Sequence, residues 1–246
     1  MKSSSVSCIV PVFNGEMYLG EALDSILKQR YEPLEIIVAD DGSTDGTREV
    51  VKRYGTRVRY LHQPNAGPGV ARNLGLGAAT GEFVAFLDAD DLWHAEKLAR
   101  QMARFDARPE LDVCVAHVQN FWVPELREEE ERFRSHRLSK PLPGYLTATL
   151  LARRSLFEVV GPFNAALHHG DSTDWFLRAA EHGAVIELLP DVLSYRRLHQ
   201  TNRSRLLASN SRDEFLKIVK AVIDRRRVKN DRQVDDTKTS IVKKEV

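Results

Sequence analysis

The sequence predicts an α/β protein: a single domain built on a mainly parallel, twisted sheet flanked by helices, with a smaller subregion in its second half. Three observations carry this. From Val6 to Leu87, apolar runs of strand length alternate with segments of helical periodicity. The connections between them are short. After the first, second and fourth strands the chain turns polar or acidic at once. Such alternation gives a parallel sheet covered by helices on both faces. It also gathers those three loops at the carboxyl edge of the sheet, where open α/β folds bind ligands.

Val6 to Val12 reads as the first strand, with Pro11 near its end where a ladder N–H is dispensable. Phe13-Asn14-Gly15 turns the chain, and Leu19, Ala22, Leu23, Ile26 and Leu27 repeat at helical spacing. Tyr31-Glu32-Pro33 breaks that helix, and Leu34 to Ala39 forms the second strand. Asp40-Asp41-Gly42-Ser43-Thr44-Asp45 follows, then a helix through Val50, Val51 and Tyr54 that Gly55 stops. Val58 to His62 is the third strand. A loop carrying Asn65, Gly67, Pro68 and Gly69 leads into a helix with Val70, Ala71, Leu74 and Ala78, and Arg72 lies near its start. Phe83 to Leu87 is a continuous apolar run, the mark of a strand buried on both faces.

The second half is less regular. A helix marked by Leu98, Met102 and Phe105 begins near His94, and Asp112 to Gln119 is a strand. Glu125 to Lys140 holds an acidic run among Arg and His, and reads as a solvated helix or loop able to close over a ligand. Tyr145 to Leu151 is strand-like, and Ser155 to Val160 is a short helix ended by Gly161-Pro162. Gly170-Asp171-Ser172-Thr173-Asp174 precedes a helix with Trp175, Phe176, Ala179 and Ala180. Two strands follow, Val185 to Leu189 and Val192 to Leu198, then His199 and a last helix through Phe215, Leu216, Val219, Val222 and Ile223. From Val228 the chain is charged and polar, as in a tail that frays.

Composition narrows the function classes. With 246 residues, 42% hydrophobic and 29% charged, the chain has the profile of a soluble globular protein. A net charge of +1 gives no case for nucleic-acid binding. Cys8 and Cys114 lie in apolar runs and read as free buried thiols in a reducing cytoplasm. The start of the chain has no apolar leader segment, which also fits a cytoplasmic protein. Arg225-Arg226-Arg227 with Lys217 and Lys220 reads as a solvated helix end, with peripheral contact to anionic lipid as the alternative.

The chemistry concentrates where the fourth strand ends, at Asp88-Ala89-Asp90-Asp91. In extended backbone Asp88 and Asp90 point to one side, and two such charges are costly without a cation between them. Mg²⁺ or Mn²⁺ suits that place, because each takes carboxylate oxygens and keeps open positions for phosphates. The structural alternative is that Asp90 or Asp91 caps the following helix.

The ordered set of motifs resembles a family-two glycosyltransferase of the GT-A fold, over about Val6 to Ser204. Val10-Pro11-Val12-Phe13-Asn14, Val38 to Asp45, Gly67 to Gly75, Leu87 to Asp91, Val160 to Asn164, the acidic segment before Trp175 and His199 carry the resemblance. It implies a nucleotide-diphosphate sugar donor, a UDP-sugar favoured, bound by residues 1–110, an acceptor half over 111–227 and a tail over 228–246. Pro11, Val12, Phe13 and Asn14 would border base and ribose, with Asn65, Gly67 and Ala89 also on the donor. Asp40 or its neighbour Asp41 would accept a hydrogen bond from the base. Asp45 is read as structural. Arg72 would pair with a phosphate or lie at the surface. Asp88 would touch the ribose or a water on the metal, Asp90 would bind the metal, and His199 would be a further metal or pyrophosphate ligand.

One departure stands out. Such enzymes take their general base from the second of two acidic residues before a Trp-containing helix, and here that position is Ser172. A neutral serine hydroxyl cannot serve, so Asp171 or Asp174 takes the role, Asp171 first. Asp174 has the helix N-cap as its structural reading. Trp122, Tyr145, His168 and His169 are candidates to line an unidentified acceptor's pocket. The expected function is metal-dependent sugar transfer to an acceptor hydroxyl with inversion. The alternatives are a nucleotide-sugar binder without turnover and, less favoured, a nucleotidyltransferase, which would want a basic Gly-rich loop after the first strand. An Asp-x-Asp phosphatase would carry its pair after the first strand, not the fourth.

Overall fold

The computed structural model describes residues 4–168, 170–206, 213–225 and 227. Among these, the chain builds a nine-stranded sheet. The first half supplies β1 (Val6–Val12), α1 (Leu19–Leu27), β2 (Leu34–Asp40), α2 (Thr47–Lys52), β3 (Arg59–His62), α3 (Pro68–Ala78) and β4 (Phe83–Phe86). β3, β2, β1 and β4 lie side by side and are all parallel. Then come β5 (Leu92–Trp93), α4 (Lys97–Ala107), β6 (Val113–Trp122), α5 (Arg127–Phe133), β7 (Leu142–Pro143) and β8 (Leu151–Arg153). α6 (Leu156–Val160), α7 (Asp171–Glu181), β9 (Ile186–Leu198), α8 (Arg203–Leu206) and a helix over 213–225, α9, complete the described chain.

The sheet runs β3-β2-β1-β4-β8-β6-β9-β5, with β7 paired on β6. β8 is antiparallel to both β4 and β6, whereas β6 and β9 are parallel. The long strands therefore share one direction, and only the short β5, β7 and β8 oppose it. The architecture is the single α/β domain that the β-α alternation predicts.

Strand alternation divides the core between the two faces. Val6, Cys8, Val10 and Val12 of β1 join Phe83, Ala85 and Leu87 on the face covered by α1, α2 and α4. Ile9, Val84 and Phe86 point to the other face, into a cluster with Leu156, Phe157, Phe163 and Trp175. α3 also packs on that face. Gly75 lets it approach, because a Cβ there would sit 2.3 Å from Ile9 Cγ2. Both cysteines are free and buried. No described helix is long and apolar enough to cross a membrane.

Several element boundaries differ from the sequence reading. Leu92–Trp93 forms β5 against Tyr195 and Ser194, so the helix starts at Lys97 rather than near His94. Residues 145–150 are not a strand, and β8 begins only at Leu151. Thr147–Thr149 is a 3₁₀ turn, held because the Thr149 hydroxyl donates to the carbonyls of Gly144 and Leu146. The two strands read over 185–198 are one strand, β9, whose pairing with β6 shifts register around His117, opposite the Pro190-Asp191 interruption. The stretch over 228–246, read as a fraying tail, lies outside the described residues.

Candidate active site

The loops after β1, β2 and β4 meet on one edge because their strands are parallel neighbours. At the end of β1, Pro11 and Val12 are buried and Phe13 is exposed. Asn14 adopts a left-handed conformation (φ 52°), which Asn tolerates better than most residues. Its N–H donates to Ser43 Oγ at 2.8 Å, and its side-chain oxygen accepts from the Thr44 N–H at 2.8 Å. The Asp41 N–H donates to the Val12 carbonyl. These bonds stitch the first two loops into one floor. Asp45 belongs to the same stitching: it accepts from the N–H groups of Glu16 and Thr47. Burial opposes its ionised form, but the bonds from Thr47 and Glu16 outweigh it and hold the carboxyl below its ordinary pKa.

Asp40 and Asp41 are both buried and both bonded by neutral donors. Asp40 accepts from the Ser43 N–H (2.8 Å) and the Tyr60 hydroxyl (2.6 Å). The Tyr60 pKa is driven up by burial and then by Asp40. Asp41 accepts from Gln63 Nε2 (2.7 Å), the Ala66 N–H (2.9 Å) and the Gly67 N–H (2.8 Å). It thereby folds the Asn65–Gly67 loop back and sets the start of α3. Asn65 stays exposed, and Gly67 uses its freedom at φ 99°.

The carboxylates after β4 meet a different set of partners. Asp88 pairs with Arg72 Nη2 at 2.7 Å, and Arg72 Nη1 reaches Asp171 at 2.5 Å. Arg72 is neither a surface residue nor open at its guanidinium: it is buried between two carboxylates, and its Nε has no hydrogen-bond partner among the described residues. Burial works against its charge, yet Asp88 and Asp171 outweigh burial and raise its pKa. Ala89 packs on the first core cluster. Asp90 Oδ2 lies 2.9 Å from His199 Nε2 and accepts from Asn202 Nδ2 at 3.2 Å. The other ring nitrogen of His199 lies 2.9 Å from the Thr201 hydroxyl, which fixes the ring's orientation. Asp91 is buried and accepts from the Arg197 N–H at 2.9 Å, so it caps no helix. Burial first, then the charges of Asp90 and Asp88, push its pKa well up.

Asp90 and His199 fit a divalent cation as a donor set. One carboxylate oxygen and one imidazole nitrogen face each other across 2.9 Å, and this pair suits Mn²⁺ or Mg²⁺ with phosphate oxygens and water completing the shell. The described residues contain no group of three or more His, Cys, Asp or Glu placed to hold a metal by themselves. Arg197 supports the pair. Its Nε donates to the Asp90 carbonyl (2.9 Å), Nη2 meets Glu21 (2.8 Å), and its guanidinium lies over Tyr18 and Phe121. Arg197, Asn202 and Glu21 were not singled out by the sequence reading. The available signal was spacing: Arg197 and His199 are two apart at the end of a strand, and so face one side.

The acceptor-side candidates separate. Gly170 (φ 73°) opens α7, and Asp171 is its first residue, close to the positive end of the helix. Asp171 is 6% exposed and joined through Arg72 to Asp88. Asp174 is not an N-cap. It sits inside α7, bonded to Arg178 Nε at 2.8 Å and 3.8 Å from Arg225, away from the Arg72 cluster's bonds. Ser172 is half-buried. Trp122 is buried and donates to Glu129 (3.0 Å). Tyr145 is half exposed, edge-on to Phe176, and His168 lies beside Gly67. His169 lies outside the described residues. α5 is exposed, but Glu129 ties it to Arg205 of α8.

The family model for Glycosyl transferase family 2 matches residues 7–167. An uncharacterized glycosyltransferase of Rickettsia typhi is 34% identical over 187 residues, covering 71% of this chain and 58% of that protein. This chain thus spans little more than half of that relative's length. S. aureus TarS in complex with UDP-GlcNAc superposes with a TM-score of 0.67 at 25% identity, over 82% of this chain and 60% of that one. The mannosyltransferase PcManGT from Pyrobaculum calidifontis, in complex with GDP-Man and Mn²⁺, gives 0.63 at 27% identity, over 82% and 59%. With a family match across most of its length, laid over the strands and loops described above, this chain belongs to glycosyl transferase family 2.

Proposed function

We propose that the protein transfers a sugar from a nucleotide-diphosphate donor to an acceptor hydroxyl, with inversion and with a divalent cation. The observation that carries this is the convergence on one rim of Asp90 paired with His199, and of Asp88 and Asp171 bridged by Arg72. Neighbours of the same fold were solved with UDP-GlcNAc, or with GDP-Man and Mn²⁺, which supports this donor class and this metal.

In this reading Pro11 to Asn14 and the floor built on Asp40 and Asp41 receive base and ribose, and a UDP-sugar is the favoured donor. Asp90 and His199 would hold Mg²⁺ or Mn²⁺, which when bound offsets the charge gathering on the departing nucleoside diphosphate. Asp171 takes the proton from the acceptor hydroxyl as its oxygen attacks the anomeric carbon. The bond from that carbon to the diphosphate oxygen breaks on the opposite side, which inverts the centre. Arg72 holds Asp171 and Asp88 at a fixed separation.

A second reading is favoured by one observation. Ser172 occupies the usual base position, and Asp171 is buried on an arginine, as expected of a protein that binds a donor and does not turn it over. Both readings meet one test: binding and slow hydrolysis of UDP-, GDP- and dTDP-sugars, with and without Mn²⁺, on the intact chain and on Asp90→Ala. Metal-dependent binding with cleavage of one donor, lost in the variant, is the expected result. Binding without cleavage or transfer would favour the binder, and no metal-dependent binding of any donor would overturn both.

A further inference from the structure

The C-terminal helix α9 (213–225) presents two unlike faces. Its inner face is committed. Ile218 is 3% exposed and lies so close to Gly170 that a Cβ there would sit 2.8 Å from Ile218 Cδ1. Glu214 is buried and accepts from the His168 N–H at 3.2 Å. Arg225 reaches Glu181 at 2.6 Å and lies 3.8 Å from Asp174, both on α7. The outer side is apolar and open: Phe215 is 58% exposed, Leu216 57%, Val219 38% and Ile223 45%. At 100° per residue these side chains form one stripe. Lys217 and Lys220 are exposed on the polar side with Asp213 and Asp224, and Arg227 is exposed one turn on. In sequence the chain continues with Lys229, Asp231 and Arg232.

We infer that this outer face docks on an anionic lipid bilayer. An amphipathic helix with a bulky apolar stripe and lysines beside it suits the headgroup boundary, where the stripe enters the acyl edge and the lysines meet lipid phosphates. A second copy of this chain is a poorer occupant. Four partly exposed side chains on one helix fall well short of the roughly 800 Å² that each partner gives to a stable interface, and lysine is depleted from such interfaces. The inner face rests on Gly170, the neighbour of Asp171. A docked helix, about 10 Å across, would therefore hold the acceptor loop about one helix diameter from the membrane. Resting on the function proposed above, this names the acceptor class: a hydroxyl on a lipid-anchored molecule, not a freely diffusing metabolite.

The test is sedimentation of the intact chain with phosphatidylcholine vesicles and with mixed phosphatidylcholine–phosphatidylglycerol vesicles, without any donor. Binding to the mixed vesicles should exceed binding to the neutral ones by about tenfold and weaken with salt. Leu216→Asp with Ile223→Asp should lower it by about tenfold or more. Lys217→Glu with Lys220→Glu should erase the preference for the anionic surface. Both pairs alter exposed residues, so an unchanged thermal midpoint certifies the fold. Equal binding to both vesicle types, full binding by the Asp variants, or a lipid-free dimer that those variants split would each overturn the inference. Vesicle binding by a chain that transfers no sugar would uphold docking and bring down only the transferase reading.

Discussion

Two strands of this sheet, one on either side of β1, end in carboxylates, and the two clusters do different work. After β2, Asp40 and Asp41 are bonded by backbone N–H groups, a tyrosine hydroxyl and a glutamine amide. After β4, Asp88 faces a guanidinium and Asp90 an imidazole. Neutral donors, none more than 26 residues away, build a loop. A guanidinium that also reaches Asp171, 99 residues on, and an imidazole 109 residues from Asp90 build a site whose charge can respond to a ligand. The sequence motif is much the same in both places, so what separates them is the partner.

The largest expected effect is at Asp90. Asp90→Ala should lower metal-dependent turnover by at least about a thousandfold, as measured by kcat/KM with the preferred donor, and leave the thermal midpoint nearly unchanged. A large loss of stability instead would place Asp90 with the loop-building carboxylates and erase the contrast. Next, Asp171→Asn should lower kcat by about a hundredfold or more and leave donor affinity near that of the parent. Near-full transfer by this variant would remove Asp171 as the base.

Asp41→Ala should behave in the opposite sense. It strips three part-buried bonds that hold the loop over 63–67 to a buried carboxylate, and should cost about 3 kcal/mol of stability, read by denaturant unfolding, before any chemistry is considered. Lys97 sharpens the comparison from the cationic side, being a buried cation beside Gln101 and the Trp93 ring with no carboxylate partner among the described residues. Burial lowers its pKa to about 7. The unfolded chain therefore binds more protons between about pH 7 and the ordinary lysine range, and stability should rise with pH across that window. Below about pH 7 the folded protein carries the full penalty of the charge. Lys97→Met should flatten the slope by up to about 1 kcal/mol per pH unit. The smallest effect is Tyr60→Phe, which removes one of two bonds to Asp40 and should cost about 1 kcal/mol with little change in turnover.

The first half of the fold was legible because its signals are local. Apolar runs, helix periods and turn residues each lie within a short window, and their alternation over short connections implies a mainly parallel sheet. The second half was less so, because long-range contacts decide it. β5 is two residues that become a strand only through Tyr195 and Ser194. Thr147–Thr149 has a strand-like composition, overridden by side-chain bonds to the Gly144 and Leu146 carbonyls. At the site, the acidic residues could be found from their positions after strands. Arg72 could not be placed between Asp88 and Asp171, since one partner lies 99 residues away. The role of Arg197 depended likewise on Glu21, across 176 residues.

α3 has a mechanical consequence. Its entry is pinned where the Gly67 N–H meets Asp41, its middle is pinned where Asn73 exchanges bonds with Phe163, and between them it carries Arg72 to Asp88 and Asp171. In the proposed reaction the helix would act as a ruler between the two substrates. One added residue before Arg72 would swing the guanidinium by about 100° and slide it about 1.5 Å, off both carboxylates at once. On that proposal the spacing of donor and acceptor would be a length cut into the chain, and lineages that lengthen their loops freely elsewhere are expected to keep the Gly67–Arg72 interval fixed.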